Sequence, residues 1–192
     1  MGSIAAIFLG LGLAAACGFR AFLPPLIIGI FSREDLITLS DSWQWFSSNW
    51  AIALFATAAL FEICAYFLPW LDNLLDIIAT PSAITAGTIL TCASLDGINP
   101  SLQWILALMT GVGLTGSVQL SSVLIRGLST ATTGGIGNPI VNFIEILMSI
   151  ILTILAILIP ILAIALIGIM FLLMRELIKR LRRKKRLKTL KH

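Results

Sequence analysis

The stretch Ile4-Ala-Ala-Ile-Phe-Leu-Gly10-Leu-Gly12-Leu-Ala-Ala-Ala-Cys17-Gly-Phe-Arg20-Ala-Phe-Leu-Pro24-Pro25-Leu-Ile-Ile-Gly-Ile-Phe31 decides the fold. It is apolar for longer than the ~20 residues a helix needs to cross a hydrocarbon core of ~30 Å. Gly10 and Gly12 let another helix backbone approach closely. Consecutive prolines at 24 and 25 remove two backbone donors, so the final part predicts a separate short piece. One charge, Arg20, interrupts the run. An ionised side chain at the bilayer centre costs at least ~3 kcal/mol on insertion scales, so Arg20 predicts a partner and a purpose.

The same pattern recurs along the chain. Hydrophobic residues make up 58% and charged residues only 11%, with a mean hydropathy of +1.03, whereas a soluble domain exposes far more charge. Further apolar segments run over Trp50–Leu71, Leu75–Leu95, Leu102–Ile125 and Ile140–Met174. The third carries Pro81, and the fourth carries Gly111, Gly113, Gly116 and Ser117. At ~1.5 Å per residue the last spans ~50 Å, so either its start lies outside the core or Pro160 divides it into a hairpin. The first is preferred, because so few residues after Pro160 make a poor second crossing. The prediction is an all-α, polytopic transmembrane helix bundle of about five spans with Pro- and Gly-broken segments. A weak internal repeat is also read: Gly10-Leu-Gly12-Leu echoes Gly111-Val-Gly113-Leu, and Pro69-Trp-Leu-Asp72 echoes Pro139-Ile-Val-Asn142.

Charge is divided unevenly. Residues 1–174 hold eight of the nine acids and only three basic residues (Arg20, Arg33, Arg126), while residues 175–192 carry ten basic residues and one acid. The division is therefore an integral membrane domain over 1–174 and a basic tail over 175–192. The tail directly follows an apolar span, so the positive-inside rule reads it as a cytoplasmic anchor with attraction to anionic lipid. That position argues against nucleic acid as a partner. Five crossings would put the N-terminus outside. Residues 32–49 form the most polar loop, with Trp43, Trp45 and Trp50 clustered as in an interfacial aromatic belt. Membrane lipids are the expected partners, and the small-residue faces also suit a homo-oligomer.

Cys17, Cys64 and Cys92 lie in apolar segments without a Cys-x-x-Cys pair, and the sole histidine is His192. Zinc, haem and iron–sulfur sites lack ligands, so no cofactor is expected. No nucleophile–histidine pair, P-loop or dinucleotide fingerprint occurs, and no enzymatic activity is expected.

The candidate polar site comprises Arg20, Glu62, Asp72 and Asp76. Arg20 and Glu62 fall at similar depths, which predicts an ion pair between neighbouring helices. Asp72 and Asp76 are four apart, on one face of any helix continuing after Pro69. They either extend a cation or proton path from Glu62 or sit in water at the interface. Gly134, Gly135, Gly137, Asn138 and Pro139, followed by Glu145, form a candidate cavity loop, since glycine-rich backbone can line a cavity at membrane depth. The bland reading is a cap, with Asn138 as N-cap and Pro139 at the first helical position. The stretch from Gly127 to Asn138 reads as too polar to face lipid as a helix. These features point to a transporter or channel-like protein for a small ion or polar lipid headgroup. The alternative is a non-transporting scaffold or assembly factor, with a membrane enzyme using the carboxylates as acid and base on a lipid-phase substrate as a third, less favoured reading.

Three ordered motifs then carry a resemblance. They are Gly10-Leu-Gly-Leu-Ala-Ala-Ala-Cys-Gly18-Phe-Arg20-Ala-Phe-Leu-Pro24, Glu62-Ile-Cys-Ala-Tyr-Phe-Leu-Pro69-Trp-Leu-Asp72-Asn-Leu-Leu-Asp76 and Ser129-Thr-Ala-Thr-Thr-Gly-Gly-Ile-Gly-Asn138-Pro139. The chain resembles the bacterial integral membrane family catalogued as domain of unknown function four-one-two-six, over almost everything before the basic tail. The family pattern has an Asp-Lys pair where this chain has Tyr66-Phe67, and an acid where it has Ile146. The resemblance implies a compact multi-pass protein, expected in the bacterial inner membrane, and supplies no activity.

Overall fold

Proline and glycine punctuate the chain into helices that pack around the first one. The computed structural model describes residues 3–37, 39, 41–65, 69–95 and 97–189; the side chains of residues 3, 65–77, 174, 177, 178 and 180–189 lie outside that description. Among the described residues the elements are all helical: α1 (Ser3–Phe19), α2 (Leu23–Arg33), a 3-10 helix (Asp41–Ser47), α3 (Asn49–Ala65), α4 (Pro69–Ser94), α5 (Pro100–Thr110), a π-helical turn (Gly111–Thr115), α6 (Gly116–Thr133), α7 (Asn138–Leu158) and α8 (Pro160–Thr189). The all-α reading holds.

The central element is α1, which packs against α4, α6, α7 and α8. Its Ala14, Ala15, Ala16 and Cys17 are fully buried because only small side chains fit where helices approach from several sides. Thr91 of α4, Thr115 of the π turn and Ser149 of α7 donate their hydroxyls to the α1 carbonyls of Gly10, Ala14 and Ala16, at 3.2, 2.8 and 3.1 Å. In a medium without water these bonds satisfy side chains that would otherwise be orphaned.

The helix breaks fall where local chemistry demands them. Between α1 and α2 the chain unwinds at Arg20–Phe22, and Pro24 and Pro25 fall in the first turns of α2, where a missing N–H costs nothing. Ile28 of α2 joins Leu13 and Cys17 of α1 in one apolar cluster. Pro69 likewise opens α4, so Asp72 and Asp76 belong to the start of that helix rather than to the end of the preceding one. The two prolines of the sequence echo, Pro69 and Pro139, both stand in the first turn of a helix that packs on α1. Pro81 lies inside α4, which continues through it.

Two expectations are corrected. The preference for a single span over Ile140–Met174 gives way to a hairpin: α7 ends at Leu158 and α8 starts at Pro160. Leu152 and Ile167, on opposite sides of that break, share one apolar cluster, against which Met148 and Phe171 also pack. Proline stops the first helix, and the close approach at Gly12 holds the turn, since a Cβ there would lie 2.6 Å from Ala156 Cβ and 3.3 Å from Ala163 Cβ. Second, the Gly127–Thr133 stretch is helical, as the last turns of α6. Its hydroxyls satisfy themselves within the helix, Thr132 and Thr133 donating to the carbonyls of Leu128 and Ser129.

Among the described residues two helical stretches, Pro100–Thr133 and Asn138–Leu158, are long and apolar enough to cross a membrane; the 3-10 helix and α3, bent by 60°, make a third if counted as one span. The apolar stretches Ile4–Phe19, Leu23–Arg33, Ile78–Ser94 and Pro160–Leu173 are shorter. Helix α8 runs without a break through residue 174 to Thr189, with Arg175, Glu176 and Lys179 exposed.

Candidate functional site

A turn at Gly134–Gly137 joins α6 to α7, and a buried charge cluster lies behind it. Gly134 and Gly135 adopt φ of +64° and +93°, a backbone that other residues rarely reach, and Gly134 closes α6 as its left-handed C-cap. Ile136 is 84% exposed, so the turn lies on the surface. Gly137 is the N-cap of α7, with Pro139 in the first turn. Asn138 therefore already belongs to the helix; it is buried and donates its side-chain amide to Thr130 Oγ1 at 2.9 Å.

Because α6 and α7 pack side by side, residues equidistant from the turn meet. Arg126 lies seven residues before the end of α6, and Glu145 seven after the start of α7. Arg126 Nε stands 3.7 Å from Glu145 Oε1. From the end of α1, Arg20 Nη2 reaches Glu145 Oε2 at 3.3 Å and donates to the Asn142 carbonyl at 3.2 Å. Arg20, Arg126 and Glu145 are 0%, 3% and 4% exposed, so this bridge is removed from the surrounding medium. Seven residues at ~1.5 Å place it ~10 Å along the helices from the α6–α7 turn.

Glu62 approaches the same place from α3. Its carboxylate accepts the N–H groups of Ala21 and Phe22, at 3.1 and 3.3 Å, in the break that leads into α2. Helix N-termini present unsatisfied N–H groups and partial positive charge, so a carboxylate there is doubly favoured. The expected Arg20–Glu62 pairing is thus rearranged. Arg20 forms an ion pair with Glu145, and Glu62 holds the backbone within the α1–α2 break while feeling the charges of Arg20 and Glu145. Asp72 and Asp76 lie on the backbone of α4, but their side chains, like Tyr66 and Phe67, are outside the described residues.

Arg126 is not among the residues that the sequence singles out, because it stands near the end of an apolar run and reads as a flank. A signal existed in the period. Asn138, Asn142, Glu145, Ser149 and Thr153 of α7 recur at helical spacing and are all buried, as are Thr115, Gln119, Ser122 and Arg126 on the α6 side. Ser122 Oγ and Asn142 Oδ1 are buried without a hydrogen-bond partner among the described residues.

Beside the charge cluster is a cavity of about 340 Å³ between α2, the 3-10 helix, α3 and α4, with Phe22, Trp45, Phe46, Phe55 and Pro81 in its wall. Among the described residues its lining is mainly rings and aliphatic side chains, and none of them is charged.

The fold and cluster define a helical protein with membrane-length apolar helices around a buried ion bridge. The chain belongs to the family described as Domain of unknown function (DUF4126), whose model matches residues 7–180. No curated protein and no solved structure matches it at a significant level.

Proposed function

We propose that this chain is an integral protein of the bacterial inner membrane that moves a small ion, the proton being the simplest for carboxylates, or a polar lipid headgroup. The observation that carries the reading is that the helix break at Arg20–Phe22 meets a buried cluster of Arg20, Glu62, Arg126 and Glu145. Broken helices whose N-termini face acidic groups near an ion bridge are the arrangement transporters use to bind charge inside a bilayer. Intramembrane ions are also expensive enough to imply work. The tail beyond Met174 would lie in the cytoplasm against anionic lipid. This orients the α6–α7 turn inwards too, because α8 returns to the same end as the start of α7. No catalytic step is assigned.

The test is pH-driven flux in proteoliposomes. Glu62→Gln and Arg20→Gln together abolish it if the cluster is the pathway; unchanged flux removes the proposed site. A second reading, a scaffold whose ion bridge only fixes helix register, is favoured by the complete burial of Arg20. It predicts no flux for the wild type and a stoichiometric partner that co-purifies.

A further inference from the structure

We infer that the groove between α2, the 3-10 helix, α3 and α4 is a binding site for one hydrocarbon chain of a membrane lipid. Its volume, about 340 Å³, lies in the range of small-molecule sites, ~300–1,000 Å³. The inference concerns a site separate from the ion bridge and stands whether or not the protein transports anything.

The lining is mostly apolar, with Ser82 and Thr85 its hydroxyl-bearing members. Phe22, Trp45, Phe46 and Phe55 present rings, and among the described residues no charged side chain lines the groove. The hydroxyl of Thr85 is engaged with the Pro81 carbonyl of its own helix at 2.7 Å. A hydrated ion entering here would lose its water with nothing in return. The surrounding medium is apolar as well: Trp50, Leu54 and Ile78, on the helices that form the walls, are 61%, 56% and 56% exposed.

Size selects among apolar occupants. A helix with side chains is ~10–12 Å across, so the groove would hold only ~3–4 Å of its length, less than one turn of ~5.4 Å. A partner helix, from a second copy or another protein, therefore does not fit. A single alkyl chain, ~4–5 Å across from carbon contact distances, fits for roughly 20 Å. The ~15 Å of chain that one leaflet holds, half of the ~30 Å core, is within that length. Trp45 and Trp50, stacked at 5.6 Å beside the groove, supply the amphipathic rings that mark a headgroup boundary.

Native mass spectrometry of the full chain, released from membranes in mild detergent, tests the site. The wild type is expected to retain one phospholipid per chain. Ala86→Phe places a ring in the groove and should lower that occupancy about tenfold. Leu120→Phe, on the outer face of α6, should leave it unchanged. If Ala86→Phe fails to fold, Ser82→Phe fills the same groove from a neighbouring position. Phospholipids with brominated chains supply a readout without substitution: they should quench wild-type tryptophan fluorescence with saturation at one equivalent. A wild type that retains no lipid, equal retention in the groove-filled variants, quenching without saturation, or a lipid-free dimer would each overturn the proposal.

Discussion

Replacing Glu145 with glutamine keeps the shape of the side chain and removes the negative charge that both buried arginines approach. At an effective dielectric constant of ~20, the Coulomb energy is about 5 kcal/mol for the 3.3 Å contact with Arg20 and about 4.5 kcal/mol for the 3.7 Å contact with Arg126. Mutual repulsion of the two guanidinium groups and the desolvation cost of the carboxylate oppose these gains. Breaking a buried ion pair typically costs ~3–5 kcal/mol. Arg20 keeps the Asn142 carbonyl in the variant, which points to the lower end, about 3 kcal/mol. A neutral contact provides the comparison. Thr115→Val removes only the hydroxyl bond to Ala14 and should cost ~0.6 kcal/mol, the average for polar contacts between membrane helices. The assay is reversible unfolding in mixed micelles followed by circular dichroism. Arg126→Gln added to Glu145→Gln should cost less than the sum of the two single substitutions, because the two side chains share one contact. A Glu145→Gln stability within about 0.5 kcal/mol of wild type would refute an ionised bridge.

Gly87→Ala and Gly111→Ala would drive a methyl group into the hydroxyls of Thr115 and Thr88, costing ~1–3 kcal/mol each, read as a lower thermal midpoint. Gly127→Ala, with open space at its Cβ position, should instead gain up to ~1 kcal/mol in the same measurement. Glu62→Ala should cost ~1–3 kcal/mol by leaving the amides of Ala21 and Phe22 unsatisfied, and Glu62→Gln less, because its oxygen still accepts one of them. In membrane vesicles, cysteines at Ile136 and Lys179 should label from one side and a cysteine at Ser101 from the other, since α7 and α8 form a hairpin and α5 and α6 one crossing; labelling of Ile136 and Lys179 from opposite sides contradicts the hairpin.

Much of the site was legible as composition and little of it as geometry. Arg20, Glu62 and Glu145 stood out because a charge in an apolar run is costly wherever that run folds. Their pairing was not legible. Glu62 chose the amides of the α1–α2 break over a direct pairing with Arg20, and Arg126 took a place that only the α6–α7 hairpin provides. The α7–α8 hairpin was misread for a related reason. Length alone made the stretch after Pro160 a poor span, yet packing of Ala156 and Ala163 against Gly12 holds it in place.

By itself the sequence determined an all-helical chain with helices long and apolar enough for a membrane, and the prolines and glycines at which its helices break. Transfer energies, missing proline donors and the positive-φ glycines of the α6–α7 turn are properties of local chain chemistry. Only the tertiary structure decided which charges meet, because partners more than a hundred residues apart, such as Arg20 and Glu145, are joined by the way α6 and α7 close around α1. No local period records that contact. A buried charge advertises that it needs a partner, and the packing of the helices selects it.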